Sequence, residues 1–288
     1  EQPLIAAWNA SLKLAKKVIR ITRRLSRHYI MIFNSRYRTC LVASLLMSTS
    51  ILPAPCWAEV TTIDELTILI DKDKTNAQLY IQRGAASFEQ GDFFNAVEDY
   101  TTAIELDPKA DQAFFGRGMA LARQGMISEG IADLTIFIQR NPENSLAYTK
   151  RGVRYMWLQD FINAEKDLNR ALALDPENAE AHDDLGVILA RRKDYEEAQQ
   201  HFTATIRIDP YYQKGYHNLA MTLFLTGQDE LALSRANQAL SLNPDHKDAL
   251  LLKSLILENL GRDEEAASVR EDAEFLPETN WTESIPVQ

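Results

Sequence analysis

The chain has 288 residues, 45% of them hydrophobic and 25% charged, the proportions of an ordinary globular protein. Its two cysteines, Cys40 and Cys56, both precede residue 59, which excludes disulfides, thiol catalysis and cysteine metal sites from everything that follows. Residues 1–58 carry nine Lys or Arg and one acid, a charge of +8; residues 59–288 carry 22 basic and 40 acidic side chains, a charge of −18 that argues against a nucleic-acid partner.

In chain order, the first element is an apolar stretch from Cys40 to Ala58, preceded by Arg36 and Arg38 and interrupted by Pro53 and Pro55. A membrane-spanning helix needs about 20 unbroken apolar residues. This run is shorter and ends in small residues, so it reads as a secretory signal cleaved after Ala58. An uncleaved anchor through residues 40–58 is the alternative, and Pro55 disfavours lipid modification at Cys56. Residues 1–30 read as an extension upstream of a start at Met31, or as a basic transit segment ahead of a lumen-targeting one.

Residues 59–76 follow as an N-terminal cap, in which the segment 61–74 predicts a single helix. From Ala77 onward the chain repeats itself every 34 residues. One column reads Gly84, Gly118, Gly152, Gly186, Ala220 and Ser254; a second reads Ala96, Gly130, Ala164, Ala198, Ala232 and Ala266. Prolines recur at Pro108, Pro142, Pro176, Pro210 and Pro244, with Pro277 one residue early. Within the first unit, an apolar stripe at Tyr80, Gly84, Ser87 and Phe88 has helical spacing, and Gly91-Asp92 breaks it. A second helical stripe runs through Ala96, Val97, Tyr100, Ala103 and Ile104 until Pro108 stops it. Each unit is therefore predicted to be two antiparallel helices that approach closely at the small residues. Six such units span residues 77–110, 111–144, 145–178, 179–212, 213–246 and 247–280, leaving 281–288 as a tail.

This pattern resembles the tetratricopeptide repeat family, most plainly in the fourth unit at Leu185, Gly186, Tyr195, Ala198, Phe202 and Pro210. The resemblance implies an all-α, right-handed α-solenoid of six helix-turn-helix repeats. The sixth unit departs from the pattern at Ser254, Arg270 and Pro277, as a terminal repeat facing water does. With the leader, the resemblance is to exported bacterial, cyanobacterial or plastid-lumen members, which implies a periplasm or thylakoid lumen.

Chemistry-bearing motifs are sparse. No phosphate-binding glycine loop, zinc-protease helix or nucleophile elbow is present, and no cofactor or metal is expected. His182 and His217 lie about one repeat apart, with Asp183 and Asp184 close by, so an enzymatic polar site there is one alternative. The other is packing, because His182 fills the column of Tyr80, Phe114, Tyr148 and Tyr216. Arg83, Arg117 and Arg151 share one column and Asp99, Asp133 and Asp167 another, and both types vanish together in repeats four to six. They read as structural ion pairs, or else as a ligand-binding arginine ladder.

The resemblance implies that the first helix of each repeat lines a concave groove, placing Ile81, Phe88, Phe115, Met119, Met156, Trp157, Met221, Phe224, Leu225, Leu251 and Leu255 on or near it. Positions matching those of carboxylate-holding relatives, Ile81, Ala85, Gly116, Thr149 and Val153, lack Lys, Asn or Arg. An apolar groove suits a partner helix or hydrophobic segment. The expected protein is thus a non-enzymatic interaction scaffold or assembly adaptor whose partner is another protein, including one in a membrane-associated complex, with no small-molecule substrate. Repeat core or the chain's own tail, through Phe275, Leu276, Trp281 and Ile285, are rival occupants of the same surface, and a self-assembling solenoid is a further alternative.

Overall fold

A computed structural model describes residues 62–277. The readings made for residues 1–61 and 278–288, the leader, its cleavage site and most of the tail, lie outside the described residues.

Thirteen α-helices and no strand make up the described residues. The cap is α1 (Ile63–Lys72), whose Thr62 and Glu65 close a reciprocal capping box. The six repeats follow as helix pairs: α2 (Ala77–Glu89) with α3 (Phe93–Leu106), α4 (Asp111–Arg123) with α5 (Ile127–Arg140), and α6 (Ser145–Trp157) with α7 (Phe161–Leu174). Then come α8 (Ala179–Arg191) with α9 (Tyr195–Ile208), α10 (Gln213–Leu225) with α11 (Asp229–Leu242), and α12 (Lys247–Asn259) with α13 (Asp263–Glu274). Every second helix from α3 to α11 ends two residues before its proline.

The pairing within a repeat rests on the small residues. Ala96, Ala164, Ala198, Ala232 and Ala266 are wholly buried, and Gly84, Gly118, Gly152 and Gly186 are buried opposite them. A Cβ on Gly118 would stand 2.8 Å from the backbone oxygen of Gly130, and one on Gly130 2.6 Å from that of Gly118. The turn between the helices of each repeat needs a left-handed residue, and these recur at the 34-residue period: Gly91, Gly125, Gln159, Lys193, Gly227 and Gly261 all have positive φ.

Successive first helices touch one another, α2 to α4, α4 to α6, α6 to α8, α8 to α10 and α10 to α12, and each second helix touches the next first helix. Second helices of neighbouring repeats do not meet. The first helices therefore converge along the inner side of the array and the second helices fan out behind them. The result is an all-α helical repeat fold.

Two kinds of contact hold the repeats together. In the first three, Arg83, Arg117 and Arg151 each grip Asp99, Asp133 or Asp167 with two hydrogen bonds of 2.7–2.9 Å, Nε to Oδ2 and Nη2 to Oδ1. The third nitrogen of each guanidinium, Nη1, donates backward to Thr67, Thr101 or Thr135 on the preceding helix, at 3.1, 3.4 and 3.0 Å. Each pair thus ties both helices of its own repeat to the helix before, which for Arg83 is the cap α1. The aspartates are buried and the arginines lie beside Tyr80, Phe114 and Tyr148. Such forked, sheltered pairs are stronger than surface bridges. In the later repeats Leu185 and Leu219 replace the arginines, and both join one apolar core running from Ala164 to Ala266 around Phe202, Leu189 and Ile256.

Gly118→Ala is expected to destabilise the chain by about 1–3 kcal/mol, because the new methyl meets backbone that cannot turn aside. Gly84→Ala, whose Cβ neighbours stand at 3.3 Å, should fall within about 1 kcal/mol of the parent, since the small crowding is offset by helix propensity. Urea unfolding of the two variants checks the contrast.

Candidate functional site

The inner side of the array is not uniform. A hollow of about 850 Å³ lies across repeats three to five. The first helix of repeat three contributes Lys150, Val153, Arg154, Met156 and Trp157; that of repeat four contributes Glu180, Asp184, Val187 and Arg191. Gln159 and Phe161 close it at one turn, and Tyr212 and Lys214 at the approach to α10. Each element supplies side chains one helical turn apart, so residues 150, 153, 154 and 157 share a face, as do 180, 184, 187 and 191.

The polar groups here are unusual. Arg154 is only 2% exposed, yet its Nε and Nη2 meet no acceptor, and Nη1 lies 3.5 Å from the Lys150 carbonyl oxygen. Its guanidinium sits over the Trp157 ring, 4.5 Å from the centroid. Burial first, and then the nearby Arg123 charge, push the Arg154 pKa down to about 10. Lys150 is held by both carboxylate oxygens of Glu180 at 2.7 Å. Asp184 is half-buried as a residue, but its Oδ2 is shut off from solvent without a hydrogen-bond partner. Burial, reinforced by Asp183 and Glu180, raises its pKa well above the ordinary carboxylate value. Asp183 is buried behind it, accepts a 2.9 Å hydrogen bond from Asn218 and is pushed up to about 6, chiefly by burial.

The eleven residues expected on the groove are dispersed. Met156 and Trp157 line the hollow. Ile81 is buried among Ala96, Tyr100 and Ala113, with Phe88 packed beside it and stacked edge-on against Phe93. Phe115 packs on Phe137, while Met221 and Phe224 pack against the long core of the later repeats. Met119 and Leu251 are half-buried, and Leu225 and Leu255 are exposed. Leu276 is buried and Phe275 exposed at the end of the described chain.

The histidines separate into two pairs. His182 Nδ1 lies 2.9 Å from His201 Nδ1, and its Nε2 donates to the Pro176 carbonyl. Tyr80 and Tyr216, in the same column, use their hydroxyls to reach the equivalent carbonyls of Lys74 and Pro210, so His182 performs the packing task of its column. His217 is buried beside His246, and burial holds its pKa down to about 4. Asp183 turns to Asn218 rather than to either imidazole. Among the described residues no group of three or more His, Cys, Asp and Glu could hold a metal ion.

Family models for tetratricopeptide repeats match residues 84–125, 149–212 and 219–275, more than half of the chain. The chain belongs to the tetratricopeptide repeat family. No curated protein matches it by sequence. Among solved structures, this tetratricopeptide chain is similar to the APC/C hetero-tetramer Cut9-Hcn1, with 18% identity and a TM-score of 0.66 over 73% of this chain and 43% of that one. It therefore spans less than half the length of that relative. It is also similar to pilF of Pseudomonas aeruginosa, with 17% identity and a TM-score of 0.62 over 69% of this chain and 90% of the other. YrrB, described as a TPR protein with an unusual peptide-binding site, is 26% identical with a TM-score of 0.51, over 66% of this chain and 97% of YrrB. These likenesses share the helical repeat fold, which typically serves as a scaffold for other proteins.

The charged lining was legible in part. Arg154 interrupts a column that otherwise reads Ala86, Ala120, Ile188, Thr222 and Ile256, and a cation in an apolar column is a signal that a search for recurring residues passes over.

Asp183 gives the site a measurable pH signature. Its folded pKa of about 6 lies above the ordinary carboxylate value of about 3.9, so the folded state takes up the proton first as pH falls. The stability it withholds at pH 7 returns between about pH 7 and pH 4. Asp183→Asn is expected to raise stability at pH 7 by an amount on the order of 2 kcal/mol, a difference that vanishes near pH 4. His217, whose pKa is depressed, acts oppositely in both proteins and cancels in the comparison. Urea unfolding of the two chains at a series of pH values measures it.

Proposed function

We propose that this chain is a non-enzymatic adaptor that holds a segment of another protein along its inner face, with the hollow of repeats three to five as the anchoring point. The observation that carries this reading is the hollow itself. At about 850 Å³, it is within the size range of ligand sites, and it combines Trp157, Met156, Val153 and Val187 with polar groups whose hydrogen-bonding capacity the fold leaves unused. A fold whose first helices converge offers an extended surface for a peptide or helix. The likeness to YrrB supports a peptide as the occupant.

An enzymatic reading has less behind it, since His182, His217 and Asp183 each serve separate contacts. The basic leader and apolar run ahead of residue 59 support export to a periplasm or lumen as the setting in which the adaptor works.

Val153→Arg fills the hollow with a long side chain, whereas Ile162→Arg places the same side chain at a site that is 83% exposed. With equal helicity in all proteins, the parent and Ile162→Arg are expected to capture one dominant partner from extract, and Val153→Arg to lose it. Capture that survives Val153→Arg, or fails with both, contradicts the reading.

A further inference from the structure

Arg154 is costly where it stands. A buried guanidinium with donors left unmet forgoes hydrogen bonds that water would supply to the unfolded chain, and charged groups suffer most. Its equivalents in the other repeats are Ala86, Ala120, Ile188, Thr222 and Ile256, so the fold accepts a small or apolar side chain here. Of the two acids whose charge reaches Arg154, Glu180 is already committed to Lys150, and Asp184 leaves the Arg154 Nε and Nη2 unmet. Arg191 and Lys214 add cations to the wall, and the approach of Arg123 makes the locality still more positive. All this lies within a sequence whose residues 59–288 sum to −18.

Resting on the adaptor reading above, we infer that the hollow reads a single carboxylate on the bound segment, with Arg154 as its counter-ion and Trp157, Val153 and Val187 receiving the apolar residues around it. A lone carboxylate suits the unused Nε and Nη2 donors, which accept a planar two-oxygen partner in a fork. A polyanion does not suit them, because the surrounding array repels it. Val153 and Val187 share the column of Ala85, and Lys150 and Asp184 that of Gly116, but Arg154 itself stands in a column that holds none of Ile81, Ala85, Gly116, Thr149 and Val153, the positions that match those of carboxylate-holding relatives.

The test uses the full chain and fluorescein-labelled heptapeptide pools with mixed apolar residues around a fixed central Glu, Gln or Lys. All pools are C-terminally amidated, and one further Gln pool is left as the free acid. In fluorescence polarisation the Glu pool is expected to bind about tenfold or more tightly than the amidated Gln and Lys pools. Arg154→Met is expected to erase that preference while melting at or above the parent temperature, as an arginine kept for a ligand rather than for folding should. Preference for the free-acid Gln pool alone, also lost in Arg154→Met, supports the inference with a chain terminus as the carboxylate source. Equal binding of the Glu and both Gln pools, or a preference that survives Arg154→Met, overturns the carboxylate inference and leaves the adaptor reading standing. Failure of every pool to bind overturns both. A fall in the melting temperature of Arg154→Met assigns Arg154 to the fold and overturns its role as counter-ion.

Discussion

The close approach of two helices within each repeat is the constraint on which the rest depends. It is made possible by a pair of small-residue columns, tightest where Gly118 and Gly130 present backbone oxygens to one another. A left-handed residue at each turn directs the second helix back along the first. Once that pair is fixed, successive repeats can contact only through their first helices and through each second helix with the next first one. A curved inner face lined by first helices follows from that contact pattern, and so does the placing of residues 150, 154, 180 and 184 around one hollow.

The array is stitched differently along its length. Up to repeat three, each forked Arg–Asp pair also reaches a threonine of the preceding helix, so that one guanidinium joins three helices. Beyond it, leucines in the arginine column merge several repeats into one continuous apolar core. The hollow straddles the change, with α6 supplied by the last ion-paired repeat and α8 by the first apolar one. Arg151 faces its aspartate and threonine there, while Arg154, three residues along the same helix, has no such pair. The contrast between two arginines of one helix shows how unusual the second is.

Much of this was written in the sequence. The 34-residue period, the small columns and the helix-stopping prolines define every helix pair, because each is a local requirement repeated several times. Arg83, Arg117 and Arg151 could be matched to their aspartates because the two columns change together. Thr67, Thr101 and Thr135 share the same period and belong to the same network, but threonine is common enough in helices that its recurrence carried no signal until geometry joined it to arginine. Gln159 and Lys193 occupy the turn position of Gly91 and Gly125 without betraying it by residue type. The hollow was least legible, since it is assembled from three repeats by their superposition in space. Its key residue is an exception to a column rather than a member of one. The sequence left repeat core open as a rival for the apolar residues of the groove, and Ile81, Met221 and Phe224 among them pack against the helical core.

The central claim is that a partner segment lies on the inner face and is anchored at repeats three to five. Hydrogen–deuterium exchange of the chain, alone and saturated with its captured partner, tests this most directly because it reports on every helix at once. The account predicts added protection concentrated in α6, α8 and α10, with α3, α5, α9 and α11 little changed. Protection confined to the second helices, or to the terminal helices α1 and α13, would contradict it.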